Sequence, residues 1–166
     1  MRHHAAGYTF LEIVVVLVIV ALISALAYPS MSATLDNARM NGTARDLVTL
    51  LKYAREKARA EQMTTAVVLR RFEKDLTIFN DEDQVLKHYP LWDKLVFNRI
   101  LLDGIPVETN EAVVWFYPDG RSTGVALVLG AEESGRQLRM KTDILTGNTR
   151  IYRPGEEGFE DELFIQ

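Results

Sequence analysis

Cysteine is missing from the 166-residue chain, which excludes disulfides, thiolate metal sites and a thiol nucleophile. The compartment stays open, because many exported domains hold together without disulfides. Histidine is scarce: three are present, and His3 and His4 stand at the extreme N-terminus. His88, beside Tyr89-Pro90, has no acid–nucleophile set near it and reads as a loop or partly buried residue. An excess of positive charge is also lacking. Lys and Arg number 19 against 23 Asp and Glu, a net charge of −4, which argues against a general nucleic-acid binder. No G-x-x-x-x-G-K-[ST] phosphate loop occurs, and Ser122 has no nucleophile-elbow context. Gly120 and Gly124 read as hairpin glycines, and Trp92 and Trp115 as core or sheet-face residues. The turn Asn80–Gln84, with Asp81 and Asp83, carries carboxylates but lacks the spacing and glycine of an EF-hand loop. These absences leave no expected enzyme activity, cofactor or metal site.

What is present is concentrated at one end. Ile13 to Ala27 holds one polar residue, Ser24. From Tyr8 to Tyr28 a helix would be about 30 Å long at roughly 1.5 Å per residue, the thickness of a bilayer core. The apolar residues lie all round that helix, so a soluble amphipathic helix is a poor fit. Glu12 stands directly in front of this run, where a carboxylate entering hydrocarbon is costly. Three readings compete. A secretory signal peptide would use Arg2, the run Ile13–Ile23 and Ala25-Leu26-Ala27 as a cleavage site. An uncleaved anchor is the second. Neither explains Glu12.

The third reading uses every residue. Gly7-Tyr8-Thr9-Phe10-Leu11-Glu12 followed by an apolar run resembles the processing signal of type IV pilins and type II secretion pseudopilins. The resemblance implies cleavage between Gly7 and Tyr8 by a prepilin peptidase, N-methylation of Tyr8, and a glutamate at the fifth mature position, Glu12. It also implies a proline near mature position 22, where Pro29 falls. Glu12 then becomes a subunit-assembly residue, its carboxylate neutralised by the new α-amino group of Tyr8 within or between subunits. Pro29 lacks a backbone donor and is expected to kink the helix.

Beyond Pro29 the helix is expected to resume through Ser30–Asn41, with a weak break at Asn41-Gly42 and Thr43 as an N-cap paired with Asp46. Ala44, Leu47, Val48, Leu51, Ala54 and Ala58 then fall on one helical face. After Gln62 the period changes to that of strands: Thr64–Phe72, Lys74–Phe79, Leu95–Asn98, Val113–Tyr117, Val125–Leu129, Gln137–Thr142 and Thr149–Arg153. The last strands, joined by short turns, suggest an antiparallel meander. The aromatic strand, PDGRSTG, the aliphatic strand and the TGNTRIY stretch resemble the minor pseudopilin H (GspH) and FimT-like branch. Asp81–Glu111 carries no part of the resemblance. The tail Pro154–Gln166 has five acidic residues and no basic one.

The expected fold is α+β and pilin-like, a long N-terminal helix, transmembrane in its first part, followed by a small antiparallel β-sheet domain. The expected segments are a leader at 1–7, a transmembrane or filament-core helix at 8–28, a periplasmic helical part at 29–62, a β domain at 63–153 and an acidic tail at 154–166. The resemblance implies a minor pseudopilin of type II secretion, in the inner membrane with its C-terminal domain in the periplasm. Its implied partners are the prepilin peptidase, other pseudopilins or pilins and the inner-membrane assembly platform. Nucleic acid is not an expected partner. A minor type IV pilin and a secreted soluble domain remain the alternatives.

Overall fold

The computed structural model describes residues 9–131, 135, 137–152 and 156, with side chains except over residues 25–33. The chain divides into two units, Met1–Leu35 and Asp36–Gln166, and helix α1 (Phe10–Glu61) contributes to both.

In the first unit α1 begins at a cap. The Thr9 hydroxyl accepts the Glu12 N–H at 3.3 Å, and the Thr9 carbonyl accepts the N–H groups of Glu12 and Ile13. Thr9 is thus the N-cap and Glu12 the third residue of the helix, the residue types of a capping box. A carboxylate there also faces the positive end of the helix dipole. The large apolar side chains from Phe10 to Ile23 are all exposed, from 39% at Val14 to 84% at Phe10. Ser24 donates its hydroxyl to the Val20 carbonyl at 2.8 Å, so the polar group in the run is satisfied within the helix. Pro29 lies inside α1. The expected kink concerns residues whose side chains are outside the described set.

In the second unit the same helix is one-sided. Met40, Ala44, Leu47, Leu51, Ala54 and Ala58 are each 0 or 1% exposed and recur at the three- and four-residue spacing of one face. This stripe corrects the expected break at Asn41-Gly42. The helix continues through both, and Thr43 is not a cap. Its buried hydroxyl donates to the Arg39 carbonyl at 3.0 Å, one helical turn back. Met40 and Ala44 flank the glycine and are both buried, and their burial offsets the roughly 1 kcal/mol that a helical glycine costs.

The strands form two antiparallel sheets. The first contains β1 (Thr65–Arg70), β2 (Asp75–Phe79), β3 (Val85–Pro90) and β6 (Glu111–Phe116), ordered β3-β2-β1-β6. The second contains β4 (Leu95–Leu102), β5 (Ile105–Pro106), β7 (Val125–Ala131), β8 (Gln137–Thr142) and β9 (Thr149–Tyr152), ordered β5-β4-β7-β8-β9. The α1 stripe, Val67, Leu69, Leu76 and Ile78 of the first sheet, and Leu95, Leu127, Leu129 and Met140 of the second share one core. The expected meander is β7-β8-β9. The aromatic strand β6 stays out of it and pairs with β1, Val67 opposite Val114.

The region outside the resemblance, Asp81–Glu111, supplies β3, β4 and β5. The expected strand Leu95–Asn98 is the first half of β4; the second half escapes a period-2 reading because the register shifts between Phe97 and Arg99. That bulge puts Phe97 and Ile100, three apart, in the same core. Strand β3 is an exposed edge with Lys87 and His88 on it, so it shows no apolar alternation. His88 therefore lies in a strand, not a loop.

Candidate assembly segment

The residues with an expected role lie toward the start of the chain. Gly7 and Tyr8 are outside the described residues. Glu12 sits in the first turn of α1, and from Ile13 to Leu35 no residue is charged. Glu12 therefore stands at the boundary between the capped helix start and a surface that is apolar from Ile13 to Ile23. Among the described residues no helix is long and apolar enough to cross a membrane. The ends of the expected 8–28 segment fall where residues or side chains are not described. A helix apolar on every side and exposed on every side needs a second apolar medium, either lipid or neighbouring helices.

Thr9 is the residue that sequence reasoning missed, as the cap of the helix whose first turn holds Glu12. The T-x-x-E signature occurs at Thr9–Glu12 immediately before an apolar run, which is where a capping box belongs. A similar spacing at Thr43–Asp46 is the misleading one.

The far end of the domain is fastened by polar contacts. Tyr89 of β3 donates its hydroxyl to Asp46 of α1 at 2.8 Å, and this bond, with burial, raises the phenol's pKa above its usual value. Arg55 of α1 reaches Asn148 at 3.0 Å. The Asp143 carboxylate accepts the N–H groups of Thr146 (2.7 Å) and Leu145 (3.1 Å) and the Thr146 hydroxyl (2.8 Å). The Thr146 bonds are the main reason its pKa lies below the usual carboxylate value. Asp119 is lowered by the backbone and side chain of Arg121. In the PDGRSTG loop, Gly120 takes φ +92°, a value suited to glycine, and Tyr117 and Arg121 close the turn through a 2.9 Å backbone bond. The hairpin reading applies there. Gly124 instead lies where the chain passes to β7, and a Cβ on it would meet Ile144 at 2.7 Å.

None of the remaining candidates assembles into a catalytic set. His88 Nδ1 is 3.1 Å from the Thr77 hydroxyl and 3.9 Å from Asp75, on an exposed strand. Ser122 is buried, with its hydroxyl near the Asp143 carbonyl at 3.4 Å. In the Asn80–Gln84 turn, Asn80 Oδ1 accepts the N–H groups of Glu82 and Gln84, an Asx-type turn. Among the described residues no group of three or more His, Asp or Glu side chains converges on one point.

A pilin-like class follows from a capped, all-round apolar helix that runs into a helix-on-sheet domain. Comparison with known proteins gives the family. Residues 43–145 match the model of the family described as Type II transport protein GspH, and residues 2–28 match the prokaryotic N-terminal methylation motif. The chain belongs to the GspH family. Among solved structures, the minor pseudopilin EpsH from the type 2 secretion system of Vibrio cholerae is similar at TM-score 0.58 and 17% identity, over 72% of this chain and 99% of that one. The type IV minor pilin FimU of Pseudomonas aeruginosa is similar at TM-score 0.56 and 12% identity, over 72% and 92%. At these identities the likeness is one of fold. No curated protein matches the chain.

Proposed function

We propose that this chain is a minor pseudopilin of a type II secretion system, a structural subunit that joins or initiates a periplasmic filament. The observation that carries the reading is the exposed apolar helix preceded by Gly7-Tyr8-Thr9-Phe10-Leu11-Glu12. The uncharged run to Leu35 supports an unassembled subunit held in the inner membrane, with the β domain in the periplasm. A prepilin peptidase cuts after Gly7, Tyr8 becomes the methylated N-terminus, and the assembly platform extracts the subunit into the filament. There the apolar helices bury one another. The Tyr8 amino group and the Glu12 carboxylate pair, so that neither charge is buried alone. Pro29 loosens the helix where the apolar run ends.

Glu12→Ala is expected to leave membrane insertion intact and to abolish incorporation into filaments, measured by membrane fractionation and by pull-down of sheared filaments. Normal incorporation would refute the pairing. The fold likeness to FimU supports a second reading, a minor type IV pilin. Deletion of the gene separates the two: secretion of exoproteins is expected to fail while pili persist, and the reverse result selects the pilin.

A further inference from the structure

The second sheet has a face turned away from the core. Leu101, Ala126 and Val128 form a small cluster there, exposed by only 1, 7 and 8%, and separate from the main core. Among the described residues the one partly buried apolar side chain packed against them is Tyr152. Register places the neighbours. Leu101 is opposite Ala126, Arg99 opposite Val128, Lys141 opposite Ala126, Arg139 opposite Tyr152, and Arg150 opposite Lys141. Four basic side chains thus frame an apolar floor, and no strand position on this face is acidic. Leu101 and Ala126 of the floor, with Lys141, also line a groove of about 430 Å³ that extends to Ile144 and Leu145. Asp103 and Asp143, at its end, are occupied by backbone N–H groups of Gly124 and of the 143–147 turn.

One segment fits this face. Residues 154–166 hold Glu156, Glu157, Glu160, Asp161 and Glu162, no basic residue, and the apolar Phe159, Leu163, Phe164 and Ile165. The tail leaves from β9, the edge strand of this sheet. Its first contact is already formed, since Arg150 binds Glu156 at 2.8 Å. Arg150 also stacks on the Tyr152 ring at 5.2 Å, and Arg99, Arg139 and Tyr152 are each engaged in a polar, charge or ring interaction. Crossing from β9 to β4 takes three strand spacings, roughly 14 Å at about 4.8 Å each. About five extended residues cover that distance, so the tail is long enough to reach.

We infer that the acidic tail Pro154–Gln166 folds back over the outer face of the second sheet in its own chain, its carboxylates on Arg99, Arg139, Lys141 and Arg150 and its apolar side chains on the floor. The tail is then the built-in occupant of a basic, partly apolar face. An acidic partner reaching that face has to displace it. The inference stands whether the subunit serves secretion or piliation.

The test is acetylation of Lys141 by an N-hydroxysuccinimide ester, read by peptide mass spectrometry on the full chain in neutral detergent. Two variants are compared, one ending at Arg153 and one carrying Glu156→Gln, Glu157→Gln, Glu160→Gln, Asp161→Asn and Glu162→Gln. The second keeps the tail and guards against loss of folding in the first. Lys141 is expected to react about tenfold faster in both, and faster in the parent chain at high salt, since exposed ion pairs are screened. Equal rates in the parent chain and the neutral-tail variant would overturn the proposal. The parent rate is expected to be independent of protein concentration. A rate that rises on dilution would mean a second copy's tail and would also overturn it.

Discussion

The two halves of helix α1 use the same residue types to opposite ends. From Phe10 to Ile23 the apolar side chains point in every direction and all are exposed. From Met40 to Ala58 they occupy one stripe, and the stripe is sealed against the two sheets. The second half has its partners within the chain. The first half has none among the described residues. Periodicity, not hydrophobicity, separates a helix that completes its own fold from one that completes an assembly.

Substitutions can break this contrast, and the largest effect is expected at the stripe. Leu47→Ala should cost about 2–5 kcal/mol, the range for emptying a leucine site in a packed core, in reversible denaturation of the full chain in detergent. Leu17→Ala in the first half should leave the same midpoint unchanged. Equal losses at the two positions would erase the distinction. A smaller effect of opposite sign is expected at Gly42. A Cβ there meets nothing within 4 Å, so Gly42→Ala should stabilise by about 0.5–1 kcal/mol. Destabilisation would show that the helix needs a break there after all.

The smallest effect concerns the 143–147 turn. The Asp143 pKa is depressed in the fold, so its contribution is fully present above the unfolded carboxylate value, near 4. It is lost as pH falls through the lower folded value. Asp143→Asn keeps an acceptor oxygen and should cost under about 1 kcal/mol at pH 7, the scale of an exposed charge. It should also flatten the acid limb of the stability profile below about pH 4. An unchanged acid limb would remove Asp143 from the account.

Much of this was legible in the chain itself. The stripe Ala44–Ala58 and strand β8 follow from spacing alone, because each buries one face and not the other. Strands β1, β2 and β7 read instead as short apolar runs and are buried along most of their length, and Gly7–Glu12 was legible as a resemblance. What stayed hidden had physical reasons. Strand β4 bulges at Phe97–Arg99, which breaks its alternation and hid its second half beyond Asn98. Strand β3 is an exposed edge and carries no apolar signal. The placement of β6 beside β1 is a long-range pairing, which no local pattern encodes. At Thr43 a local capping signal lost to the packing of Met40 and Ala44, whereas at Thr9 the same kind of signal had nothing to oppose it.

The central claim is that cleavage after Gly7 creates the amino group that answers Glu12. Mass spectrometry of the N-terminal peptide of the mature protein tests it most directly. A chain beginning at N-methylated Tyr8 is the predicted result. A chain beginning at Tyr28, cut after Ala27, would contradict the account, because the apolar helix and Glu12 would both be gone.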